Sequence, residues 1–218
     1  MPSKRSTPRI LIIDDCPITC ELLVGVLSKA GYQVRAAGDG LSGLASARAQ
    51  PPDLAVVDLH LPDLSGIELA GLLQPEVPFL ALTIDRSEDA VRACIEKGAL
   101  GYLVKPLDAE SFLRQVAVAL ERGREQRNLR RALRDNHVVN KALGVLMGFH
   151  QIPEQKAFDL LVGRASARNV KAVVLAGEII RACEALSARK TGRDPAQAAL
   201  DARQARAVLN RFWPGRSA

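Results

Sequence analysis

The chain has 218 residues, of which 48% are hydrophobic and 25% are charged. This length allows one domain or two small ones, and this composition excludes an intrinsically disordered chain. No apolar run approaches the ~18 residues that a transmembrane helix needs, and the basic N-terminus leads into only four apolar residues, unlike a signal peptide. We therefore expect a cytoplasmic protein that has no membrane partner.

Charge is distributed unevenly along the chain, whose formal total is +6. Residues 1–120 carry 11 basic and 15 acidic side chains, a net charge of −4, whereas residues 121–218 carry 19 and 9, a net charge of +10. This asymmetry favours two domains with different partners. The basic half suits a nucleic acid because phosphates attract clustered Arg and Lys, although solvated helix faces are also rich in arginine.

The cysteines do not form a pattern typical of a disulfide framework, since Cys16, Cys20, Cys94 and Cys183 are irregularly spaced. Cys16 and Cys20 lie one helical turn apart, but no histidine or second cysteine pair nearby completes a metal site. We therefore expect reduced thiols packed in the core of the protein.

Short apolar runs alternate with helical patterns through the first half of the chain. The runs of strand length are residues 10–13, 32–36, 54–57, 79–82 and 101–104, and the second and weakest is expected near the sheet edge. Pro17 opens the first helix and Gly31 ends it, with Ile18, Leu22, Leu23, Val26 and Leu27 predicted on one apolar face. Further helices are predicted around Leu41–Ala47, over Ile67–Leu73 and from the Ser87 cap to Gly98. This alternation predicts an α/β fold with a five-stranded parallel sheet covered on both faces.

Charged and polar residues stand where the predicted strands end. Asp14 and Asp15 follow the first strand, Asp58 ends the third, Thr83 ends the fourth and Lys105 follows the fifth. The carboxyl ends of parallel strands share one sheet edge, so these side chains should lie together, the first, third and fourth strands being neighbours. Three carboxylates repel one another unless a cation lies between them, and oxygen ligands suit Mg²⁺. With a lysine and a hydroxyl to hold phosphoryl oxygens, the pattern indicates carboxylate attack on phosphorus, which gives an aspartyl phosphate.

On these residues the sequence resembles the receiver domain of bacterial response regulators over residues 8–122. The matching segments are Ile12-Ile13-Asp14-Asp15, Val57-Asp58-Leu59-His60-Leu61-Pro62 with Gly66, Leu82-Thr83, and Tyr102-Leu103-Val104-Lys105-Pro106. The resemblance implies a flavodoxin-like (CheY-like) receiver in which Asp58 accepts the phosphoryl group and the Lys105–Pro106 bond is cis.

The same resemblance implies roles for the surrounding side chains. Asp14, Asp15, Asp58 and the backbone carbonyl of His60 would bind Mg²⁺. Lys105 would be the counter-ion of the phosphate, Thr83 the switch hydroxyl, and Tyr102 the aromatic residue that moves with it. One position departs from the family pattern: the residue after the switch threonine is usually small, and here it is Ile84. Its β-branched side chain could crowd the approach to Asp58, which affects the expected rate of phosphorylation more than the fold.

The second half is predicted to be helical. From Asp108 to about Phe149 apolar residues recur every three to four positions among many arginines, which predicts one long amphipathic helix. Its segment 123–140 could pair with a partner chain as a coiled coil, or could be a monomeric connector packed on its own domain. Two further helices are predicted over residues 154–167 and 170–187, with Asn169 in the turn. Residues 188–218 form a polar, basic tail with at most one helix, from Asp194, and no assigned role.

Residues 141–187 predict a small all-α domain of three helices, in which Gly144 would allow close helix approach. The spacing resembles the ANTAR domain, an RNA-binding antitermination module, over residues 125–185. The Ala-Lys-Gly and Leu-Met core of that family corresponds here to Ala142-Leu143-Gly144 and Leu146-Met147, so Leu143 replaces the family lysine. The later part of the family pattern corresponds to Ala157, Leu161, Ala165 and Val174-Leu175-Ala176-Gly177-Glu178-Ile179-Ile180. The candidate RNA contacts, chosen for charge and position, are Lys141, Arg164, Arg168 and Lys171.

The sequence therefore favours a two-component response regulator, not an enzyme, that is phosphorylated by a cognate sensor histidine kinase. The phosphorylated form would dimerise through the long helix and bind an RNA hairpin in a nascent transcript as a transcription antiterminator. The alternative is a receiver whose helical output binds a protein partner, because the family lysine is missing. A DNA-binding output is disfavoured because no helix-turn-helix recognition pattern is found.

Overall fold

The structure is a computed structural model that describes residues 7–187, together with Ala207 and Asn210, both of which are helical. The helix predicted from Asp194 therefore lies almost wholly outside the described residues. The chain divides into two compact units, Met1–Asn128 and Leu129–Ala218. The finer domain limits expected at residues 122 and 140 stay predictions.

The first unit is a five-stranded sheet in the order β2-β1-β3-β4-β5, and every pair of neighbours is parallel. The strands are β1 (Arg9–Ile13), β2 (Gln33–Ala37), β3 (Leu54–Asp58), β4 (Phe79–Thr83) and β5 (Gly101–Val104). The helices that alternate with them are α1 (Pro17–Lys29), α2 (Gly40–Ala49), α3 (Gly66–Leu73), α4 (Glu88–Glu96) and α5 (Ala109–His150), the last of which continues into the second unit. The α/β prediction is confirmed, and β2 lies at the sheet edge as expected.

Two apolar layers cover the sheet because successive side chains of a strand point to opposite faces. Along β1, Leu11 and Ile13 belong to one layer and Ile10 and Ile12 to the other. All residues of β3 and β4 are buried, as is typical of central strands of a parallel sheet. Both faces are therefore packed, which leaves the ends of the strands as the place where polar side chains gather.

Two sequence-based expectations about burial are corrected. The buried apolar face of α1 is narrower than predicted, because Leu23 and Leu27 are buried whereas Ile18 and Leu22 are 79% and 58% exposed. Of the four cysteines only Cys94 is buried as expected, and the other three are half-buried. Periodicity marks apolar positions without showing which of them a neighbouring layer covers.

The second unit packs the end of α5 against α6 (Glu154–Ala167) and α7 (Ala172–Ser187). Its buried core includes Leu146, Leu161 and Ile179, so the predicted three-helix arrangement is confirmed. Asn169 adopts a positive φ of 51° in the turn between α6 and α7, a conformation that asparagine tolerates better than most residues. The expectation for Gly144 is wrong, because this residue is exposed and a Cβ there would meet no atom within 4 Å.

Among the residues that the structure describes, no helix is both long and apolar enough to span a membrane.

Candidate functional site

The strand order brings three aspartates together at the carboxyl edge of the sheet. Asp14 directly follows β1, and Asp58 is the last residue of the neighbouring strand β3. Asp14 and Asp58 are 1% and 5% exposed, whereas Asp15 is exposed. Carboxylate oxygens of all three residues lie within 4.8 Å of one another. The clustering expected from the sequence is thus present for these three side chains.

Lys105 reaches this cluster from the end of β5, where its peptide bond to Pro106 is cis as the resemblance implies. Its Nζ lies 2.5 Å from Oδ2 of Asp58 and 2.7 Å from Oδ2 of Asp14. Burial is the largest single influence on the pKa of Lys105 and lowers it, but the contacts with the two carboxylates together outweigh burial and raise the pKa. The lysine is therefore a firmly charged ammonium, and it balances only one of the three carboxylates.

The remaining carboxylate oxygens of the buried pair have backbone donors. Oδ1 of Asp58 accepts a hydrogen bond from the N–H of His60 at 2.9 Å, and Oδ1 of Asp14 accepts one from the N–H of Cys16 at 2.9 Å. Oδ2 of Asp14 is buried, and its partner is the Lys105 ammonium at 2.7 Å. One ammonium among three carboxylates leaves excess negative charge on a set of oxygen ligands, and this set fits a hard divalent cation such as Mg²⁺.

Gly66 lets α3 begin directly against the backbone of Asp58. A Cβ at Gly66 would lie 2.1 Å from the carbonyl oxygen of Asp58, which no side chain could tolerate. The N–H of Gly66 donates to the carbonyl of Leu59 at 3.0 Å, and the neighbouring Ser65 caps α3 in a reciprocal pair with Glu68. Position 66 therefore requires glycine for a steric reason.

Thr83 and Tyr102 contact the backbone of the same residue, Asp85, in the loop between β4 and α4. The buried Thr83 Oγ1 accepts the N–H of Asp85 at 3.0 Å, and the hydroxyl of Tyr102 donates to the Asp85 carbonyl at 2.7 Å. Burial raises the pKa of Tyr102, which keeps it a hydroxyl donor. Ile84, between Thr83 and Asp85, is 71% exposed and adds nothing to the core.

The candidate RNA contacts in the second unit fall into two classes. Arg168 forms a bidentate ion pair with Glu178, with N···O distances of 2.7 and 3.3 Å, and this contact raises the pKa of the arginine. Lys141 forms an ion pair with Glu184 at 3.4 Å. Arg164 and Lys171 are exposed and form no ion pair within the described residues. Arg164 and Lys171 could therefore bind a phosphate directly, whereas Lys141 and Arg168 would first have to break an ion pair with a glutamate.

Leu143, which replaces the family lysine, is 5% exposed and belongs to the core of the second unit. The leucine therefore contributes apolar packing between the three helices. It adds no charge to the surface of this unit.

Sequence reasoning did not find Asp63, whose carboxylate accepts hydrogen bonds from Gly40 and Leu41, which lie 23 and 22 residues earlier in the chain. This contact leaves no local pattern of residue types, so no signal in the sequence could have shown it. Asp85, which the sequence places next to the site, presents its backbone to Thr83 and Tyr102.

Two family comparisons cover most of the chain. Residues 10–117 match the response regulator receiver domain, and residues 127–180 match the ANTAR domain. Among curated proteins, the DNA-binding response regulator MtrA of Mycolicibacterium smegmatis is 32% identical over 160 residues, which are 72% of this chain and 70% of MtrA. The chain belongs to the response regulators. It combines a receiver domain with an ANTAR output domain.

Other relatives share a smaller part of their length. The chain spans about half of the probable transcriptional regulatory protein TcrX of Mycobacterium tuberculosis, with 34% identity, and half of the DNA-binding dual master transcriptional regulator RpaA of Synechocystis, with 39% identity. The solved CheY-like receiver domain of Methanospirillum hungatei covers 56% of this chain and 99% of its own, with a TM-score of 0.53 and 27% identity. These matches agree with the CheY-like architecture of the first unit.

Proposed function

We propose that this chain is a cytoplasmic response regulator that receives a phosphoryl group on Asp58 and then binds an RNA hairpin as a transcription antiterminator. The observation that carries the proposal is the cluster of Asp14, Asp58 and Lys105 in a chain whose second half matches the ANTAR domain. The phosphoryl donor in the cell would be a cognate sensor histidine kinase. The protein acts by binding, so it needs no substrate turnover of its own.

Asp58 supplies the nucleophile in this proposal. One of its carboxylate oxygens forms a bond to phosphorus while the bond between phosphorus and the donor's nitrogen or oxygen breaks, and the donor leaves with that electron pair. The Lys105 ammonium is already in contact with Asp58 and pairs with the phosphoryl oxygens as they arrive. Mg²⁺, held by Asp14, Asp15, Asp58 and the His60 carbonyl, would neutralise the phosphoryl charge.

Thr83 and Tyr102 provide the conformational response. The Thr83 hydroxyl accepts the Asp85 N–H, while Tyr102 donates to the carbonyl of the same residue. When the Thr83 hydroxyl turns towards a phosphoryl group on Asp58, its contact with Asp85 is lost and the loop that holds Tyr102 is released. Phosphorylation would in this way alter the surface near α4.

The long helix α5 offers a surface for a second copy of the chain. Residues 128–134 are all exposed, and Leu129 and Leu133 are 63% and 61% exposed one helical turn apart. An exposed apolar pair at this spacing suits a parallel helix partner. We therefore propose that phosphorylation promotes a homodimer through this segment.

The RNA proposal is tested with the phosphorylated full-length chain, a labelled RNA hairpin and a DNA duplex of equal length. We expect preferential hairpin binding at physiological salt, and an affinity whose logarithm falls with log salt by about 0.7 per phosphate contacted on single strands. Reversing the charge of Lys141, Arg164, Arg168 and Lys171 together should abolish binding and leave Asp58 phosphorylation intact. Equal binding of hairpin and duplex would overturn the proposal.

A protein-binding output is the second candidate, because Leu143 is buried where the family has a lysine and two of the four candidate cations are paired with glutamates. The experiment above separates the two functions. Absence of any nucleic acid binding by the phosphorylated dimer would favour the protein partner, and binding only to the DNA duplex would favour the activity that the names of MtrA and RpaA state for those proteins.

A further inference from the structure

Asp63 connects the loop between β3 and α3 to the first turn of α2. Its carboxylate accepts three backbone hydrogen bonds, from Gly40 at 2.8 Å, from Leu41 at 2.8 Å and from Leu64 at 3.0 Å. The first two donors belong to α2 and the third to the loop itself. The same loop contains His60, whose carbonyl is one of the proposed Mg²⁺ ligands.

Asp63 is the acceptor found for these two N–H groups of the first turn of α2 among the residues that the structure describes. A helix leaves its first N–H groups without partners inside the helix; here Asp63 satisfies those of Gly40 and Leu41, and the helix cap Asp39 accepts that of Ser42 at 2.7 Å. These donors outweigh the effect of burial, the largest single influence, and lower the pKa of Asp63, so its carboxylate is charged at neutral pH.

The contact between α2 and the loop is close as well as polar. A Cβ at Gly40 would lie 2.6 Å from Cδ2 of Leu64 and 3.1 Å from Oδ1 of Asp63. A side chain at position 40 would therefore require the Leu64 side chain to move. The start of α2 and the loop are thus in van der Waals contact as well as hydrogen-bonded through Asp63.

The rest of the loop is held to the phosphoacceptor strand. The His60 N–H donates to Oδ1 of Asp58, His60 forms an antiparallel bridge with Ser65, and Gly66 donates to the carbonyl of Leu59. These contacts fix the two ends of the loop, whereas Asp63 fixes its tip to a separate element. The position of the His60 backbone thus depends on both sets of contacts.

We propose that Asp63 is a positioning residue for the metal site, because its bonds to α2 hold the loop that contains His60, whose carbonyl is one of the proposed Mg²⁺ ligands. This inference rests on the proposed Mg²⁺ site at Asp14, Asp15 and Asp58. Loss of a group that supports a metal ligand commonly weakens metal affinity by about 10–100-fold. Asp63 acts through the loop backbone, so we expect about tenfold, the lower end of that range.

The test is the dissociation constant of Mg²⁺ for the unphosphorylated full-length chain, measured by calorimetric titration, with the melting temperature measured in parallel. Asp63→Ala should weaken Mg²⁺ binding about tenfold. Asp63→Asn should bind Mg²⁺ with an affinity between those of Asp63→Ala and the wild type, because its one amide oxygen can still accept the N–H groups of Gly40 and Leu64 but its NH₂ cannot accept that of Leu41. Asp39→Ala is the matched control: it removes an aspartate that caps the same helix but, in the part of the chain that the structure describes, forms no hydrogen bond with the loop. It should lower the melting temperature and leave Mg²⁺ affinity unchanged. If Asp63→Ala does not fold, Asp63→Ser replaces it with the same expectation.

Two results would overturn the inference. Mg²⁺ affinity could be the same in Asp63→Ala and the wild type, or it could fall equally in Asp63→Ala and Asp39→Ala, which would mean that only helix stability matters. A failure of the Mg²⁺ site itself is distinguishable, because the wild type would then not bind Mg²⁺, or Asp14→Asn would bind it as well as the wild type does. That result would remove the inference together with the site.

Discussion

The Lys105 ammonium lies 2.5 Å from Oδ2 of Asp58, and the same nitrogen lies 2.7 Å from Oδ2 of Asp14. One cation therefore joins residues at the ends of β1, β3 and β5. The lysine keeps the carboxylate of Asp58 oriented beside two further aspartates. A phosphoryl group that arrives at Asp58 meets a counter-ion that is already in place.

Asp58→Asn should remove all labelling of the chain by a small phosphoryl donor with Mg²⁺, because an amide lacks the anionic oxygen that attacks phosphorus. Incorporation is measured as one phosphate per chain by intact-protein mass spectrometry. Asp89→Asn, an exposed aspartate in the first turn of α4, is the control and should label as the wild type does. Undiminished labelling of Asp58→Asn would show that the nucleophile is another residue.

Ile84→Ala should accelerate both phosphorylation and loss of the phosphoryl group, because donor and water approach Asp58 from the same side. The side chain is 71% exposed, so its removal should change the free energy of unfolding little. The two rates are measured by following labelled protein over time. Ile95→Ala, which truncates an isoleucine on α4 that is 66% exposed, should leave both rates unchanged. Unchanged rates in Ile84→Ala would reject steric control at this position.

Gly66→Ala should destabilise the receiver by about 3 kcal/mol or more, because the new Cβ would overlap the Asp58 carbonyl and force α3 away from it. Gly71→Ala on the same helix is the opposite case, since a Cβ there meets nothing within 4 Å. It should stabilise the protein by about 0.5–1 kcal/mol. Chemical denaturation of both variants measures these changes, and a neutral Gly66→Ala would contradict the steric explanation.

Arg164→Gln and Lys171→Gln should weaken RNA hairpin binding more than Lys141→Gln and Arg168→Gln do. The first two cations form no ion pair within the described residues, whereas the last two must exchange Glu184 and Glu178 for a phosphate. Each lost phosphate contact should also make the salt dependence shallower by about 0.7 in log–log slope. Titrations at several salt concentrations measure both effects, and equal losses in all four variants would show that the ion pairs do not matter.

Much of the architecture was predictable because it depends on local patterns. Five apolar runs of strand length separated by helical periodicity indicate a parallel sheet, and Asp14, Asp58, Thr83 and Lys105 stand at the ends of those runs. Strand direction then places them at one edge, since parallel strands share their carboxyl ends. The long helix was equally clear, because its apolar spacing continues without a proline to the end of α5.

The tertiary structure alone decided which of these residues are covered and which are paired. Ile18 and Leu22 share the spacing of Leu23 and Leu27 but face solvent, and Leu143 occupies a core position where the family carries a charge. Asp63 meets the start of α2 across more than twenty residues of chain, and Arg168 meets Glu178 across the turn between two helices. A local pattern reports the periodicity of one element, whereas burial and ion pairing depend on what a second element places beside it.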